Sequence, residues 1–290
     1  MAKKGEMIFS KPNAHNITGH LWSKDRTKLF YRFLRAPSEK AAVVLIHGFG
    51  EHSGRYFHVI EKLIKHGFSV FCIDLRGHGH SEGVRGDVAS FAQYEDDVLS
   101  AIEHIRPEND KLFILAHSMG ALIILRLLSR QTGLKIEGMV LSCPLFALRM
   151  SIPPWKKWAS LAAARLTPRV RVSSGIKGSY LSSDVRLANA YDNDPLVLRD
   201  LSIRAFREIY CGYQKANYLA QKISTSFLMQ VAGADPVVNS EASMKWFNQI
   251  NSMRVDATLK IYPDFLHEIY NEANRKEAIG DLISWLDKRS

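Results

Sequence analysis

Four short apolar runs constrain this chain more than any other feature, because each is continuous rather than alternating. They occupy residues 43–46, 69–73, 112–115 and 139–141, and 227–231 reads as a further strand after an interruption. A strand with one wet face alternates apolar and polar residues. A strand covered on both faces does not. Patterns of helical period fall between these runs at about 57–66, 90–106 and 119–131, and again near 241–249 and 272–288. Alternation of this kind builds a parallel sheet with crossover helices on both faces. Asn16–Trp22 and Lys28–Leu34 read as an antiparallel pair entering that sheet, and 258–262 as its last strand. The expected fold class is α/β, with a mostly parallel central sheet flanked by helices.

Residues 145–225 interrupt the pattern. They hold no strong strand signal and several short helical ones. They also hold thirteen basic against five acidic residues, a net +8 out of +10 for the chain. A helical insertion placed before the last two strands reads as a cap over a site. The expected division is a core of 1–144 and 226–290 and a cap, or lid, of 145–225.

The chain has 290 residues, of which 46% are hydrophobic and 23% charged, which supports a packed core and excludes disorder as a description of the whole. Cys72, Cys143 and Cys211 form no C-x-x-C pair and argue against a disulfide framework or a cysteine zinc site. Each is expected as a buried, reduced thiol. No run reaches about 18 apolar residues, so no membrane-spanning helix is expected. The first ten residues lack an apolar core of signal-peptide length, and a cytoplasmic location follows by default.

Ser118 carries the chemistry. It follows the 112–115 run and opens a helical pattern, in Ala116-His117-Ser118-Met119-Gly120. A serine on a sharp strand–turn–helix corner projects its hydroxyl above the sheet, and crowding there requires small residues two before and two after. Ala116 departs from the Gly-x-Ser-x-Gly pattern but remains small. The competing reading is an ordinary helix N-cap.

A serine hydroxyl attacks only when a base takes its proton, and the base must be oriented by a carboxylate. Asp235 lies just past the 227–231 strand, and His267 follows the next strand. The order Ser, Asp, His on successive strand ends suits this fold class. Oxyanion donors are expected from the backbone N–H of Met119, after the nucleophile, and of Phe49, in the Gly48–Gly54 loop.

That loop and 77–83 both carry the spacing G-x-G-x-x-x-G, one residue too long for a dinucleotide fingerprint. Nucleotide binding is therefore not expected. His47, His52, His78 and His80 near these loops lack the helical spacing and carboxylates of a metal site, and hydrogen bonding in turns accounts for them better. No cofactor and no metal are expected.

These stretches together resemble the α/β-hydrolase superfamily, in particular its monoacylglycerol lipase and lysophospholipase group, which shares its domain type with the S33 serine aminopeptidases. The resemblance rests on 47–56, 74–83, 116–120, Asn193-Asp194-Pro195-Leu196-Val197, Gly233-Ala234-Asp235 and His267-Glu268, and spans about 20–288. It implies a triad of Ser118, Asp235 and His267 with Phe49 and Met119 as oxyanion donors. It further implies cofactor-free hydrolysis of single-chain acyl esters through an acyl-serine. Phe49 stands where that group often has a smaller residue, which narrows the pocket.

Trp155, Trp158, Ala159, Ala162 and Leu166 follow helical spacing, with Lys156, Lys157 and Arg165 off the stripe. Such an element fits an anionic membrane surface, and equally the lining of an acyl pocket. The expected partners are a small acyl ester and, through the basic cap, an anionic membrane. Nucleic acid is not expected, since no binding module accompanies the charge. The sequence sets no oligomeric state. A serine aminopeptidase or a small-ester esterase on the same triad is the alternative, and a non-catalytic receptor on this fold a more distant one.

Overall fold

The computed structural model describes residues 16–106, 111–131, 133–150, 167–253 and 255–290. Its centre is an eight-stranded sheet: β1 Asn16–Trp22, β2 Lys28–Leu34, β3 Ala41–Ile46, β4 Phe68–Ile73, β5 Leu112–His117, β6 Gly138–Ser142, then β9 Phe227–Ala232 and β10 Ala257–Tyr262. The spatial order is β1-β2-β4-β3-β5-β6-β9-β10. β1 pairs antiparallel with β2 and β2 with β4, and every later pairing is parallel.

Every residue of β3, β4, β5, β6 and β9 is buried, which is why these strands are mostly apolar without alternation, Gln230 of β9 excepted. β10 is an edge strand and exposes Lys260 and Ile261. Helices α1 Phe57–Lys65, α2 Ala92–Ile105 and α3 Met119–Arg130 form the crossovers of the first half. α3 buries nine of its twelve residues. It lies so close to β3 that a Cβ on Gly120 would stand 2.5 Å from the Ile46 carbonyl oxygen.

Between β6 and β9 the described residues hold α4 Val185–Asn193, α5 Ile203–Gln214 and the short α6 Ala216–Leu219. They also hold two strands that the sequence did not signal, β7 Arg171–Ser173 and β8 Asp200–Ser202, paired antiparallel. Three residues are too few to display a period. Several bonds fix this segment to the sheet side of the molecule. Leu198 N–H donates to the Gly50 carbonyl at 2.8 Å, and Ser202 N–H to that of Gly86 at 2.9 Å. Arg204 pairs with Asp87. The stripe of Trp155, Trp158, Ala159, Ala162 and Leu166, with Lys156, Lys157 and Arg165, lies outside the described residues.

After β9 come α7 Ser240–Asn251 and α8 Lys276–Asp287. Cys72 and Cys143 are buried as expected, but Cys211 is exposed. α5 buries Ile203, Ala205, Ile209, Gly212 and Tyr213, and Cys211 falls off that stripe.

Candidate active site

β5, β9 and β10 run parallel, so their carboxyl ends share one edge of the sheet, and all three residues of the expected triad follow directly. Ser118 comes first, between the end of β5 and the start of α3. Its backbone sits at φ 51° and ψ −114°, a region that costs a non-glycine residue about 1–3 kcal/mol. Two bonds hold it there. Ser118 N–H donates to the Ser142 carbonyl at 2.9 Å, and its own carbonyl accepts the Leu145 N–H at 3.2 Å. Ala116 is wholly buried at the last turn of β5, where its methyl group is tolerated in place of glycine.

Asp235 follows β9 and is fully buried, and His267 follows β10 at 4% exposure. His267 Nδ1 lies 2.7 Å from Asp235 Oδ2, and His267 Nε2 lies 3.0 Å from Ser118 Oγ. Asp235 Oδ1 accepts the N–H groups of Val237 and Val238 at 2.8 and 3.0 Å, which locks the carboxylate in rotation. An ionised carboxylate only accepts, so the imidazole proton sits on Nδ1 and Nε2 is free to accept from the serine hydroxyl. Burial pushes the His267 pKa down, but the charge of Asp235 and its hydrogen bond outweigh that, helped by Glu268 and Glu51, and hold it above its ordinary range.

Met119 opens α3, and its N–H is one of the helix's orphan donors. Gly48 packs on the serine: a Cβ there would lie 3.1 Å from Ser118 Cβ. Gly48 N–H is taken by Glu51 Oε1 at 2.7 Å, which leaves the next N–H in the turn, that of Phe49. Among the described residues neither the Phe49 nor the Met119 N–H has a hydrogen-bond acceptor. The Phe49 ring lines the adjoining cavity and meets His78 edge-on, with centroids 5.6 Å apart.

Sequence reasoning missed a buried charged cluster beside the triad. Arg55 Nη2 donates to Glu268 Oε2 at 2.6 Å, and Arg55 Nε lies 3.8 Å from Glu51 Oε2. All three side chains are at most 6% exposed. Glu51 Oε1 also accepts from the Tyr56 hydroxyl at 2.8 Å. Burial, and then the charge of Glu268, raise the Glu51 pKa. Among the described residues Glu51 Oε2 and Arg55 Nε have no hydrogen-bond partner. Glu51 and Arg55 stand at i,i+4 spacing, a signal the sequence offered, but nothing in it joins position 51 to position 268.

His117 backs the triad. Its ring lies 4.8 Å from that of His267, and its Nδ1 is 3.1 Å from Ser142 Oγ. Burial and then the charge of His267 hold its pKa well below the ordinary value, so it stays neutral. Cys143, at φ 43°, brings its sulfur to the same place. A ligand atom each from Cys143, Asp235 and His267 lie within 4.8 Å of one another. The facing atoms of Asp235 and His267 are already spent on each other, and burial and then Asp235 push the Cys143 thiol well up.

The glycine-rich loops are held by hydrogen bonds of their own. Asp74 Oδ1 accepts the Ser53 N–H at 2.8 Å, and its Oδ2 accepts the His80 N–H at 2.9 Å. Gly79 sits at φ 48°, and a Cβ there would strike that carboxylate. His47 Nδ1–H donates to the Gly48 carbonyl and its Nε2 accepts the Leu75 N–H, while His78 Nδ1–H donates to the Arg76 carbonyl. His52 accepts the Gly54 N–H on Nδ1 and donates Nε2–H to Asp194 Oδ2 at 2.9 Å. Asp194 thus ties the segment between β6 and β9 to the Gly48–Gly54 loop.

Ser118, His267 and Glu51 open into a cavity of about 760 Å³, a size suited to a small organic ligand. Most of its wall is apolar, including Leu148, Ile176, Leu181, Phe206 and Val238, and Glu51 and Glu268 are among its polar lining residues.

A serine at a strained turn after a central strand, with an acid and a histidine on successive strand ends in this strand order, defines an α/β hydrolase. The chain belongs to the family described as "Serine aminopeptidase, S33", whose profile matches residues 37–274. It is 30% identical over 255 residues to a Bacillus subtilis phospholipase, covering 88% of this chain and 98% of the relative. Human monoglyceride lipase is 29% identical over 283 residues, covering 93% and 90%. Among solved structures, the monoacylglycerol lipase of Paleococcus ferrophilus superposes with a TM-score of 0.82 at 30% identity, covering 90% of this chain and 99% of that one.

Proposed function

We propose that this chain hydrolyses single-chain acyl esters, of the monoacylglycerol or lysophospholipid type, through an acyl enzyme on Ser118. The observation that carries the reading is the relay from Ser118 through His267 to Asp235, opening into a mostly apolar cavity. His267 Nε2 takes the hydroxyl proton as Ser118 Oγ attacks the ester carbonyl. Asp235 stabilises the imidazolium that forms. The N–H groups of Phe49 and Met119 receive the oxyanion. His267 then protonates the leaving alcohol, and water, activated by the same imidazole, releases the fatty acid. The relatives named as monoacylglycerol lipases and as a phospholipase support this substrate class.

The apolar wall suits the acyl chain. Glu51 and Glu268, which line the same cavity, supply carboxylates that suit a hydroxylated head group. One observation favours a second reading, aminopeptidase activity: Glu51 and Glu268 place two carboxylates, the kind of group that holds a free amine, in the cavity wall. Arg55 counters it by pairing with Glu268. A panel of monoacylglycerols, lysophospholipids, short esters and aminoacyl anilides decides. The proposal requires turnover on long single-chain esters far above that on aminoacyl anilides, and the reverse order contradicts it.

The proposed setting is cytoplasmic, with reversible contact between the insertion and anionic membranes. The net +8 of 145–225 supports it. Five of its described arginines, Arg171, Arg186, Arg199, Arg204 and Arg207, are paired with acids, so the attraction falls mainly to the others. Liposome sedimentation tests this. Binding to anionic but not neutral vesicles, weakened by salt and by Lys156→Glu/Lys157→Glu, supports it. Equal binding to both kinds of vesicle, or to neither, rejects it.

A further inference from the structure

We propose that Glu272 is a positioning residue for His267, and that it couples the histidine to the insertion through Ser183. The proposal rests on the reading of His267 as the general base.

His267 sits on an irregular stretch between β10 and the short helical turn Ile269–Asn271, outside any regular ladder of hydrogen bonds. Such a stretch keeps its shape only through the bonds its own peptide groups find. Glu272 supplies them from one side. It is 2% exposed, and its carboxylate gathers donors from two distant parts of the chain. Oε1 accepts the Leu266 N–H at 2.8 Å and the Ser183 N–H at 3.1 Å. Oε2 accepts the Ser183 N–H at 3.1 Å, the Ala273 N–H at 3.2 Å and the Ser183 hydroxyl. Leu266 is the residue immediately before His267.

The other side is held as well. The N–H of Glu268, immediately after His267, donates to the Leu181 carbonyl at 2.8 Å. The Ser182 hydroxyl donates to the Asn271 carbonyl at 2.6 Å. Three consecutive residues of the insertion, 181–183, therefore fix the peptide groups on both flanks of the histidine. Leu181 also lines the cavity, so the element that meets the substrate's chain is the one that orients the base.

The residue type follows from the geometry. A side chain with two oxygens at one point offers enough lone pairs to serve both flanking segments. Alanine at 272 strands the Leu266 and Ser183 donors in a buried place. The loop must then shift, and the 3.0 and 2.7 Å spacings of the relay shift with it. Glutamine keeps one acceptor oxygen and an N–H₂ that the Ser183 hydroxyl can accept from.

The test compares Glu272→Ala, Glu272→Gln, Ser183→Ala and His267→Ala in the full chain, with a medium-chain monoacylglycerol as substrate. It reads kcat and KM separately, the folded fraction by thermal melting, and the downfield proton resonance of His267 Nδ1–H. The expected loss in kcat for Glu272→Ala is about 10–100-fold, as for a displaced catalytic group, with KM little changed and the resonance moved or broadened. Glu272→Gln recovers most of the turnover, and Ser183→Ala falls between. The proposal is overturned if Glu272→Ala keeps wild-type kcat. It is also overturned if the loss merely tracks unfolded protein while the resonance stays in place. His267→Ala separates the two claims. If it is inactive while Glu272→Ala is normal, only the positioning role falls; if it retains turnover, the general-base reading falls and the positioning role with it.

Discussion

Replacing Asp235 by asparagine changes one atom and reverses the logic of the relay. Asp235 Oδ1 accepts two backbone N–H groups, from Val237 and Val238, at 2.8 and 3.0 Å. Those donors require an oxygen, so the amide nitrogen of an asparagine must take the position of Oδ2, 2.7 Å from His267 Nδ1. An N–H₂ there donates. Nδ1 becomes the acceptor, the imidazole proton moves to Nε2, and the histidine can no longer accept from Ser118. In the chymotrypsin-type triad the same change costs about 10⁴ in kcat, or about 5 kcal/mol of transition-state stabilisation, and the same magnitude is expected here. The lost charge-assisted bond costs the fold only about 1–3 kcal/mol, and the backbone bonds survive, so Asp235→Asn should remain folded. Steady-state kinetics on a monoacylglycerol, beside a thermal melt, measures both. Activity within about tenfold of wild type, in folded protein, refutes the reasoning. The nearby carboxylates are poor substitutes: Asp264 is exposed, and Glu268 is committed to Arg55 and Asn271.

Two further outcomes follow from the same geometry. Gly120→Ala places a methyl carbon 2.5 Å from the Ile46 carbonyl oxygen and 2.7 Å from that of His47, neither of which can yield without moving β3. The melting temperature should fall by the equivalent of about 1–3 kcal/mol and activity with it, and unchanged values for both would contradict the close packing of α3 on β3. In the proposed mechanism His267 acts in its neutral form, and its pKa is raised, so kcat/KM should rise with pH through a limb above the ordinary histidine range. Glu268→Gln removes an anion that favours the imidazolium and should move that limb to lower pH; a shift upward contradicts the assignment.

Much of this was legible in the sequence, and for identifiable reasons. Strands buried on both faces announce themselves as unbroken apolar runs, so the core of the sheet could be read without alignment. That Ser118, Asp235 and His267 would meet was legible because each follows a strand and their chain order matches the fold, although none alone is distinctive. β7 and β8 were not legible, since three residues show no period. Arg55 meeting Glu268 and Ser183 meeting Glu272 depend on pairings across 213 and 89 positions that leave no local trace. Cys211 was misjudged because apolar neighbours on a short amphipathic helix do not reveal which face turns outward.

The central claim is that Ser118 is the nucleophile. Labelling the full chain with a fluorophosphonate and mapping the modified peptide by mass spectrometry tests it most directly. The account predicts one adduct, on Ser118, formed by wild type and abolished in Ser118→Ala. An adduct mapped to a different serine, or labelling that persists in Ser118→Ala, would contradict it.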